Sequence, residues 1–137
     1  MTPQATHNNK TGATGMATNL AGRPNPPTLF PSDSVALVTG GSRGIGAETA
    51  RCLAAWGAHV VLTYRSKEEQ ATLVAEEIRD MGRRAEVVNV DIREESQVLS
   101  LFKTIREHFG RLDAAVLNSG ITSDGLLATM GQAKWND

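Results

Sequence analysis

Short apolar runs alternate with longer amphipathic segments along most of the chain. From residue 34 onward, four runs are rich in valine, leucine and alanine, which is typical of parallel strands covered by helices on both faces. The predicted strands are Ser34 to Thr39, Ala58 to Tyr64, Arg84 to Val90 and Asp113 to Asn118. Their regular alternation with helical segments predicts an α/β fold around a parallel sheet.

The segments between these runs carry the signals of helices. The predicted helices are Gly44 to Trp56, Lys67 to Met81 and about Glu94 to Phe109. A glycine directly follows each helix, and glycine adopts the left-handed conformation that ends a helix. These three glycines are Gly57, Gly82 and Gly110. Ser66, with Glu69 three residues later, has the form of a capping box and predicts the start of the second helix.

The third helix has one apolar face. Its members recur at helical spacing and are Val98, Leu101, Phe102, Ile105 and Phe109. We predict that this face packs against the sheet, in preference to Phe102 and Phe109 stacking on a ligand. Strands joined by crossover helices in this way predict the opening of a doubly wound parallel sheet.

Residues 1–33 differ in composition from the rest of the chain. All five prolines lie there, among many Thr, Asn and Gly. Such a segment has too little apolar surface to offset the entropy lost on ordering. We therefore predict a disordered N-terminal extension at residues 1–33 and a folded region from residue 34 onward.

Charge and cysteine content narrow the function classes. The chain has 14 basic and 15 acidic residues, a net charge of -1, so neither nucleic acid nor a membrane surface is a favoured partner. No apolar run reaches the roughly 18 residues of a membrane span, and the start lacks the apolar core of a secretory signal. Cys52 is the only cysteine, and no metal-ligand spacing joins it to the histidines. We expect a cytoplasmic protein without a metal.

A glycine-rich turn connects the first strand to the first helix. Its sequence is Thr39-Gly40-Gly41-Ser42-Arg43-Gly44-Ile45-Gly46. A turn in this place aims the free amides of the helix and the positive end of its dipole at a phosphate. Gly40 permits the tight turn, Gly44 lets phosphates approach the backbone, and Gly46 lets the helix pack closely on the strand. The turn therefore predicts a pyrophosphate site.

The pattern Thr-Gly-x-x-x-Gly-x-Gly in this turn resembles the glycine motif of the short-chain dehydrogenase/reductase family, a Rossmann-fold group of oxidoreductases. Asp91 and Ile92 follow the third strand, where the family has an aspartate whose region contacts adenine. Asn118 and Gly120 match the family's Asn-Asn-Ala-Gly after the fourth strand. The resemblance implies that residues 34–137 are the N-terminal part of a Rossmann dinucleotide-binding domain with strand order 3-2-1-4, truncated after the fourth strand.

Two residues of that last segment, Leu117 and Ser119, depart from the family pattern. The family's loop borders the ribose of the cofactor, so the departures concern its fine contacts.

The end of the second strand indicates which dinucleotide binds. An NAD site places an acid there, about 20 residues beyond the glycine turn. This chain has Arg65 instead, and Arg65 with Arg43 would clamp a 2′-phosphate through charge-assisted bonds. We therefore predict NADP as the cofactor. The predicted cofactor-binding residues are Gly40, Gly41, Ser42, Arg43, Gly44, Ile45, Gly46, Arg65, Asp91, Ile92, Asn118 and Gly120.

The stretch from Gly120 to Leu127, followed by Met130 and Trp135, looks most like the 3-oxoacyl-(acyl carrier protein) reductase branch of the family. This resemblance implies an NADP-dependent oxidoreductase that reduces a carbonyl or 3-oxoacyl group, or oxidises an alcohol. Its partners would be the nicotinamide dinucleotide and a small carbonyl or acyl substrate. The full-length form is expected to be a homo-oligomer.

Catalysis in that family uses a Ser and a Tyr-x-x-x-Lys pair, and this sequence contains neither at a matching position. Tyr64 is the only tyrosine, and Glu68 stands four residues after it. No catalytic residue is therefore predicted, and we expect the chain as given to be inactive alone. Two interpretations stay open: the cofactor-binding part of an NADP-dependent reductase, and a non-catalytic nucleotide-binding module or inactive truncated product.

Overall fold

The computed structural model describes residues 28–120, which form four strands and three helices in strict alternation. The strands are β1 (Val35–Thr39), β2 (His59–Tyr64), β3 (Ala85–Asn89) and β4 (Ala114–Leu117). The helices are α1 (Gly44–Ala55), α2 (Glu68–Asp80) and α3 (Glu95–Phe109). Every predicted element is present, and no end differs from its prediction by more than one residue.

The four strands form one parallel sheet with the order β3-β2-β1-β4. This order confirms the predicted Rossmann-type doubly wound sheet. Leu37 at the centre of β1 pairs with Val61 on one side and Ala115 on the other. Because all the strands are parallel, the residues that follow them meet along one edge, where such sheets bind ligands.

Helices cover both faces of β1 and β2, so both faces of these strands are buried and mostly apolar. Successive side chains of a strand point to opposite faces. Ala36 and Val38 accordingly pack in a cluster with residues of α1 and α2, whereas Val35 and Leu37 pack with residues of α3. All four side chains are buried, which explains the continuous apolar run in the sequence.

Strand β4 is less completely covered. Ala114 and Val116 are half-buried and pack against the cluster beneath α1 and α2, whereas Ala115 and Leu117 are exposed. Leu117 is 81% exposed. Within residues 28–120, β4 pairs with β1 alone, so its outer edge has no strand partner in the described part of the chain.

The helix ends confirm one sequence signal and overturn another. Gly57, Gly82 and Gly110 follow the helices with positive φ angles of 110°, 78° and 75°, as predicted for left-handed termini. The predicted capping box of Ser66 and Glu69 is wrong. The N-cap of α2 is Lys67, and no side chain caps that helix, because Ser66 lies one residue before the capping position.

The apolar face of α3 is narrower than predicted. Leu101 and Ile105 are each 2% exposed, and Val98 and Phe109 pack partly against the same cluster. Phe102 is 46% exposed, so its assignment to the core is wrong. Successive residues of a helix are about 100° apart, which places Phe102 on the flank of the stripe centred on Leu101 and Ile105.

Residues 28–33, which the sequence assigns to a disordered extension, contact the domain. The backbone N–H groups of Leu29 and Phe30 donate to the Trp56 carbonyl at 2.9 and 3.1 Å, and the Phe30 ring packs against the core. Asp33 forms an ion pair with Arg111. The remainder of the predicted extension, residues 1–27, lies outside the described residues and stays a prediction.

Candidate functional site

A cavity of about 690 Å³ lies along the edge where the four strands end. Its walls are the turn between β1 and α1 and the residues that follow β2, β3 and β4. Of the predicted cofactor-binding residues, those that line the cavity are Gly40, Ser42, Arg43, Gly44, Ile45, Arg65, Asp91, Ile92, Asn118 and Gly120. The fold therefore brings together in one site groups that are up to 80 residues apart in sequence.

The turn between β1 and α1 needs glycine for two different reasons. Gly44 has a φ angle of 56°, and a Cβ atom built there would have nothing within 4 Å, so its backbone faces open space at the cavity. Gly46 does not line the cavity. A Cβ atom at Gly46 would lie 2.2 Å from the Gly40 carbonyl oxygen, so only glycine lets α1 approach the turn this closely.

The first turn of α1 is open to an anion. Arg43 is the N-cap in extended backbone conformation, and no side chain caps the free N–H groups that follow it. The first turn also contains no acidic residue that would offset the positive end of the helix dipole. Free amides beside a cavity at a helix N-terminus form a site for phosphate.

Hydrogen bonds to β2 fix the shape of the turn. The N–H of Gly41 donates to the Thr63 carbonyl at 2.9 Å, and the N–H of Gly40 donates to the Thr63 hydroxyl at 3.3 Å. Thr63 is buried, so these bonds are shielded from water. Gly41, predicted to contact the cofactor, instead faces β2, where its Cβ atom would lie 2.7 Å from that of Leu62.

Asn118 braces the same turn from the β4 side. Its side-chain amide donates to the carbonyl oxygens of Thr39 and Gly40, both at 3.3 Å. The Thr39 hydroxyl in turn accepts the backbone N–H groups of Asn118 and Ser119, both at 3.0 Å. Asn118 lines the cavity, but its amide is used to support the turn.

The charges around the cavity are mostly positive. Its walls contain four cationic side chains and one carboxylate: Arg43, Arg65, Lys67, Arg93 and Asp91. The chain as a whole has a net charge of -1, so the cavity concentrates positive charge on a nearly neutral molecule. Within residues 28–120, no salt bridge joins Arg43, Arg65 or Lys67 to a carboxylate.

The single carboxylate of the cavity is paired. Arg93 Nε donates to Asp91 Oδ1 at 3.0 Å, and Arg93 Nη2 donates to Asp91 Oδ2 at 2.7 Å. The backbone N–H of Arg93 adds a third bond to Oδ1 at 3.1 Å. Chiefly because of the guanidinium bonds, the pKa of Asp91 falls to about 2.

Sequence reasoning missed two of the four cations, Lys67 and Arg93. Each stands two residues beyond a predicted site residue, Arg65 and Asp91. Residues that follow parallel strands converge on one edge of the sheet, so charged residues just after each strand end could have been predicted to lie at the site. Ser119, one of the two departures from the family pattern, also lines the cavity.

Tyr64 lines the cavity as well, at the end of β2. Partial burial raises the pKa of its phenol, and the neighbouring Glu68 raises that pKa further. A raised pKa makes the phenol a weaker proton donor. That Tyr64 is not the catalytic tyrosine stays a prediction from the sequence.

Metal and membrane signals are absent from the described residues. Residues 28–120 contain no cluster of three or more His, Cys, Asp or Glu side chains able to hold a metal ion. Within the same range, no helix has the length and apolar character needed to cross a bilayer.

Comparisons with known proteins agree with the fold and with the family resemblance. The family model described as short chain dehydrogenase matches residues 34–137. The short-chain dehydrogenase/reductase FrzI of Cladobotryum sp is 41% identical over 111 residues, which are 81% of this chain and 42% of that protein. The 3-oxoacyl-[acyl-carrier-protein] reductase FabG of Staphylococcus aureus is 39% identical over 102 residues, 74% of this chain and 42% of that protein.

A solved structure shows the same architecture. The short chain dehydrogenase of Burkholderia cenocepacia, crystallised in complex with NADP, has a TM-score of 0.70 and 41% identity. The match covers 75% of this chain and 42% of that one. The chain thus spans less than half the length of the relatives that it matches.

Proposed function

This chain belongs to the short chain dehydrogenase family, and from that premise we propose that its cavity binds NADP(H) and that the protein is an NADP-dependent oxidoreductase. When bound, the nicotinamide ring would exchange hydride with a carbonyl or alcohol carbon. The solved relative from Burkholderia cenocepacia, which contains NADP, supports this choice of cofactor.

The observation that carries the proposal is the charge at the end of β2. A site for NAD places an acid there to hold the ribose hydroxyl groups. In this chain Arg65 lines the cavity at that position, and Arg43 of the glycine turn lines it too. Two guanidinium groups suit a 2′-phosphate, which accepts several charge-assisted hydrogen bonds.

The remaining walls suit the rest of the dinucleotide. The pyrophosphate would lie at the first turn of α1, whose amides have no side-chain cap. Gly44 leaves its backbone accessible to the phosphates because no atom lies near its missing side chain. The adenine would lie beyond Arg65, beside Asp91 and Ile92 after β3. These contacts, and those of Ser42, Ile45 and Gly120, are part of the proposal.

We also propose a carbonyl or 3-oxoacyl group as the substrate. The support is the resemblance of Gly120 to Leu127 to that branch of the family, together with the identity of the Staphylococcus aureus relative. Residues 121–137 lie outside the described residues, so this support is sequence alone. The catalytic step, the homo-oligomer and the cytoplasmic location belong to the same proposal.

Calorimetric titration of the full chain with NADPH and with NADH tests the cofactor. We expect NADPH to bind more tightly, and Arg65→Gln to weaken NADPH by about tenfold or more because a charge-assisted bond is lost. The affinity for NADH should change little. The matched control is Arg106→Gln, which removes the same charge from an exposed position of α3 that does not line the cavity.

Two results would contradict the proposal: equal loss of NADPH and NADH affinity in Arg65→Gln, or no preference in the original chain. Tight NADPH binding by a full-length protein without reductase activity would instead favour the non-catalytic nucleotide-binding module.

A further inference from the structure

Arg65 and Asp91 stand at neighbouring strand ends. Strand β2 pairs with β3 so that Tyr64 lies opposite Asn89. Arg65 directly follows Tyr64, and Asp91 follows Asn89 with Val90 between them. Adjacent strands are about 4.8 Å apart, and both residues line the same cavity just beyond these strand ends. Asn89 adds a bond between the strand ends, because its side-chain amide donates to the Arg65 carbonyl at 3.0 Å.

In this arrangement, Asp91 and the 2′-phosphate of a bound cofactor would compete for the Arg65 guanidinium. A carboxylate beside an arginine normally forms an ion pair with it, frequently through two parallel bonds. Both Arg65 and Asp91 line the cavity, and the charge of Arg65 is close enough to help lower the pKa of Asp91. In an ion pair with Asp91, the Arg65 guanidinium would no longer be available to bind the 2′-phosphate of the cofactor.

The structure shows a different pairing. Arg93 donates to both oxygens of the Asp91 carboxylate, at 3.0 and 2.7 Å from its side chain and 3.1 Å from its backbone. Within residues 28–120, Arg65 forms no salt bridge. Arg93 is therefore the residue that occupies the carboxylate.

We propose that Arg93 is a positioning residue for NADP(H): by engaging both oxygens of Asp91, it leaves Arg65 available to the 2′-phosphate. The inference rests on the proposed function, since it presumes that the cavity binds a dinucleotide phosphate. It adds that cofactor preference depends on a pair of residues, Asp91 and Arg93, neither of which touches the phosphate.

The variant Arg93→Gln tests the proposal in the full chain. Without the guanidinium, Asp91 pairs with Arg65 and its charge repels the phosphate. The ratio of NADPH to NADH affinity should then fall by about 3- to 30-fold, the effect of one unpaired charge several ångströms away. NADH affinity should change little, because NADH lacks the 2′-phosphate.

The double variant Asp91→Asn with Arg93→Gln separates positioning from direct contact. An asparagine still accepts the backbone N–H of residue 93 but has no charge to attract Arg65. We expect the double variant to recover most of the NADPH preference that Arg93→Gln loses. Arg93→Lys should retain part of it, and Arg106→Gln on the exposed side of α3 should retain all of it.

The results with these variants distinguish a failure of the inference from a failure of the proposed function. Failure of the double variant to recover would show that Arg93 acts directly or structurally, and would overturn the inference. An equal effect of Arg93→Gln on NADPH and NADH, or an unchanged ratio, would overturn it too. Absence of NADPH binding to the original chain would remove the proposed function, whereas binding with an unchanged ratio in Arg93→Gln removes only the inference.

Discussion

Thr39 and Asn118 hold each other across the sheet: the Asn118 N–H donates to the Thr39 hydroxyl at 3.0 Å, and the Asn118 amide donates to the Thr39 carbonyl at 3.3 Å. Thr39 ends β1, and Asn118 follows the adjacent strand β4. The glycine turn starts at this junction, so the shape of the cavity depends on it.

Replacing Thr39 with valine should therefore weaken both the fold and the cofactor site. Valine keeps the shape but removes the hydroxyl that accepts the N–H groups of Asn118 and Ser119. Asn118 keeps a bond to the Val116 carbonyl, whereas the Ser119 N–H loses its acceptor, and a partly buried donor left without a partner costs about 1–3 kcal/mol. Urea denaturation measures the loss, and NADPH titration measures the site. The control Thr39→Ser keeps the hydroxyl, and a loss of equal size in that variant would contradict the assignment.

Adding one methyl group at Gly46 should abolish cofactor binding. The Cβ atom of Gly46→Ala would lie 2.2 Å from the Gly40 carbonyl oxygen and 2.6 Å from the Asn118 amide nitrogen, so the turn must move. We expect a loss of stability of about 1–3 kcal/mol, as for other overpacked sites. Gly82→Ala is the control. It strains a positive φ angle of 78° away from the cavity and should leave NADPH affinity intact.

Phe30 should contribute to the stability of the domain, although the sequence around it predicts a disordered extension. Its ring packs against the cluster beneath α1 and α2. Because that ring is only partly buried, Phe30→Ala should cost about 1–3 kcal/mol, less than a fully buried phenylalanine. The neighbouring Leu29 is 60% exposed, so Leu29→Ala should be nearly neutral. Equal unfolding midpoints for the two variants would show that Phe30 does not anchor the segment.

His59 should make stability depend on pH. Burial, followed by the charges of Arg84 and Arg83, lowers the pKa of its imidazole below the ordinary 6.5, and Asp33 opposes the shift. His59 Nδ1 also accepts the backbone N–H of Arg84 at 3.0 Å, which requires that nitrogen to be unprotonated.

The unfolded chain binds a proton at His59 more readily than the folded chain does, because the pKa of His59 is lower in the folded state. The stabilisation from neutral His59 is therefore complete above pH 6.5. It is lost as the pH falls from 6.5 toward the lowered pKa of the folded state. Urea denaturation from about pH 7.5 to about pH 5.5 should show this loss in the original chain and a flatter profile in His59→Gln. Parallel profiles for the two proteins would contradict the assignment.

The sequence predicts the strands and helices of residues 28–120 closely because each signal is local. Leu37 and Val61 lie in apolar runs, and Gly57 and Gly110 end helices by their own backbone freedom. The sheet order follows from the resemblance and from the rules of parallel connections. A local signal gave a wrong prediction at Ser66, because the N-cap of α2 is the next residue, Lys67.

The site was harder to predict because its charges converge only in three dimensions. Arg43 and Arg65 could be inferred from their places after β1 and β2, whereas Arg93 and Lys67 gain meaning only when the strand ends meet. The pairing of Arg93 with Asp91 leaves no mark in the sequence beyond two residues at close spacing.

Hydrogen bonds that Thr63, Thr39 and Asn118 form within the chain itself fix the shape of the glycine turn. The turn is therefore preorganised, and a dinucleotide that binds there loses little further chain entropy. Association should then be limited mainly by diffusion and electrostatic steering toward the cationic cavity. Differences in affinity among variants that keep this bracing should consequently be found in the dissociation rate, with the residence time of the bound dinucleotide as the quantity that changes.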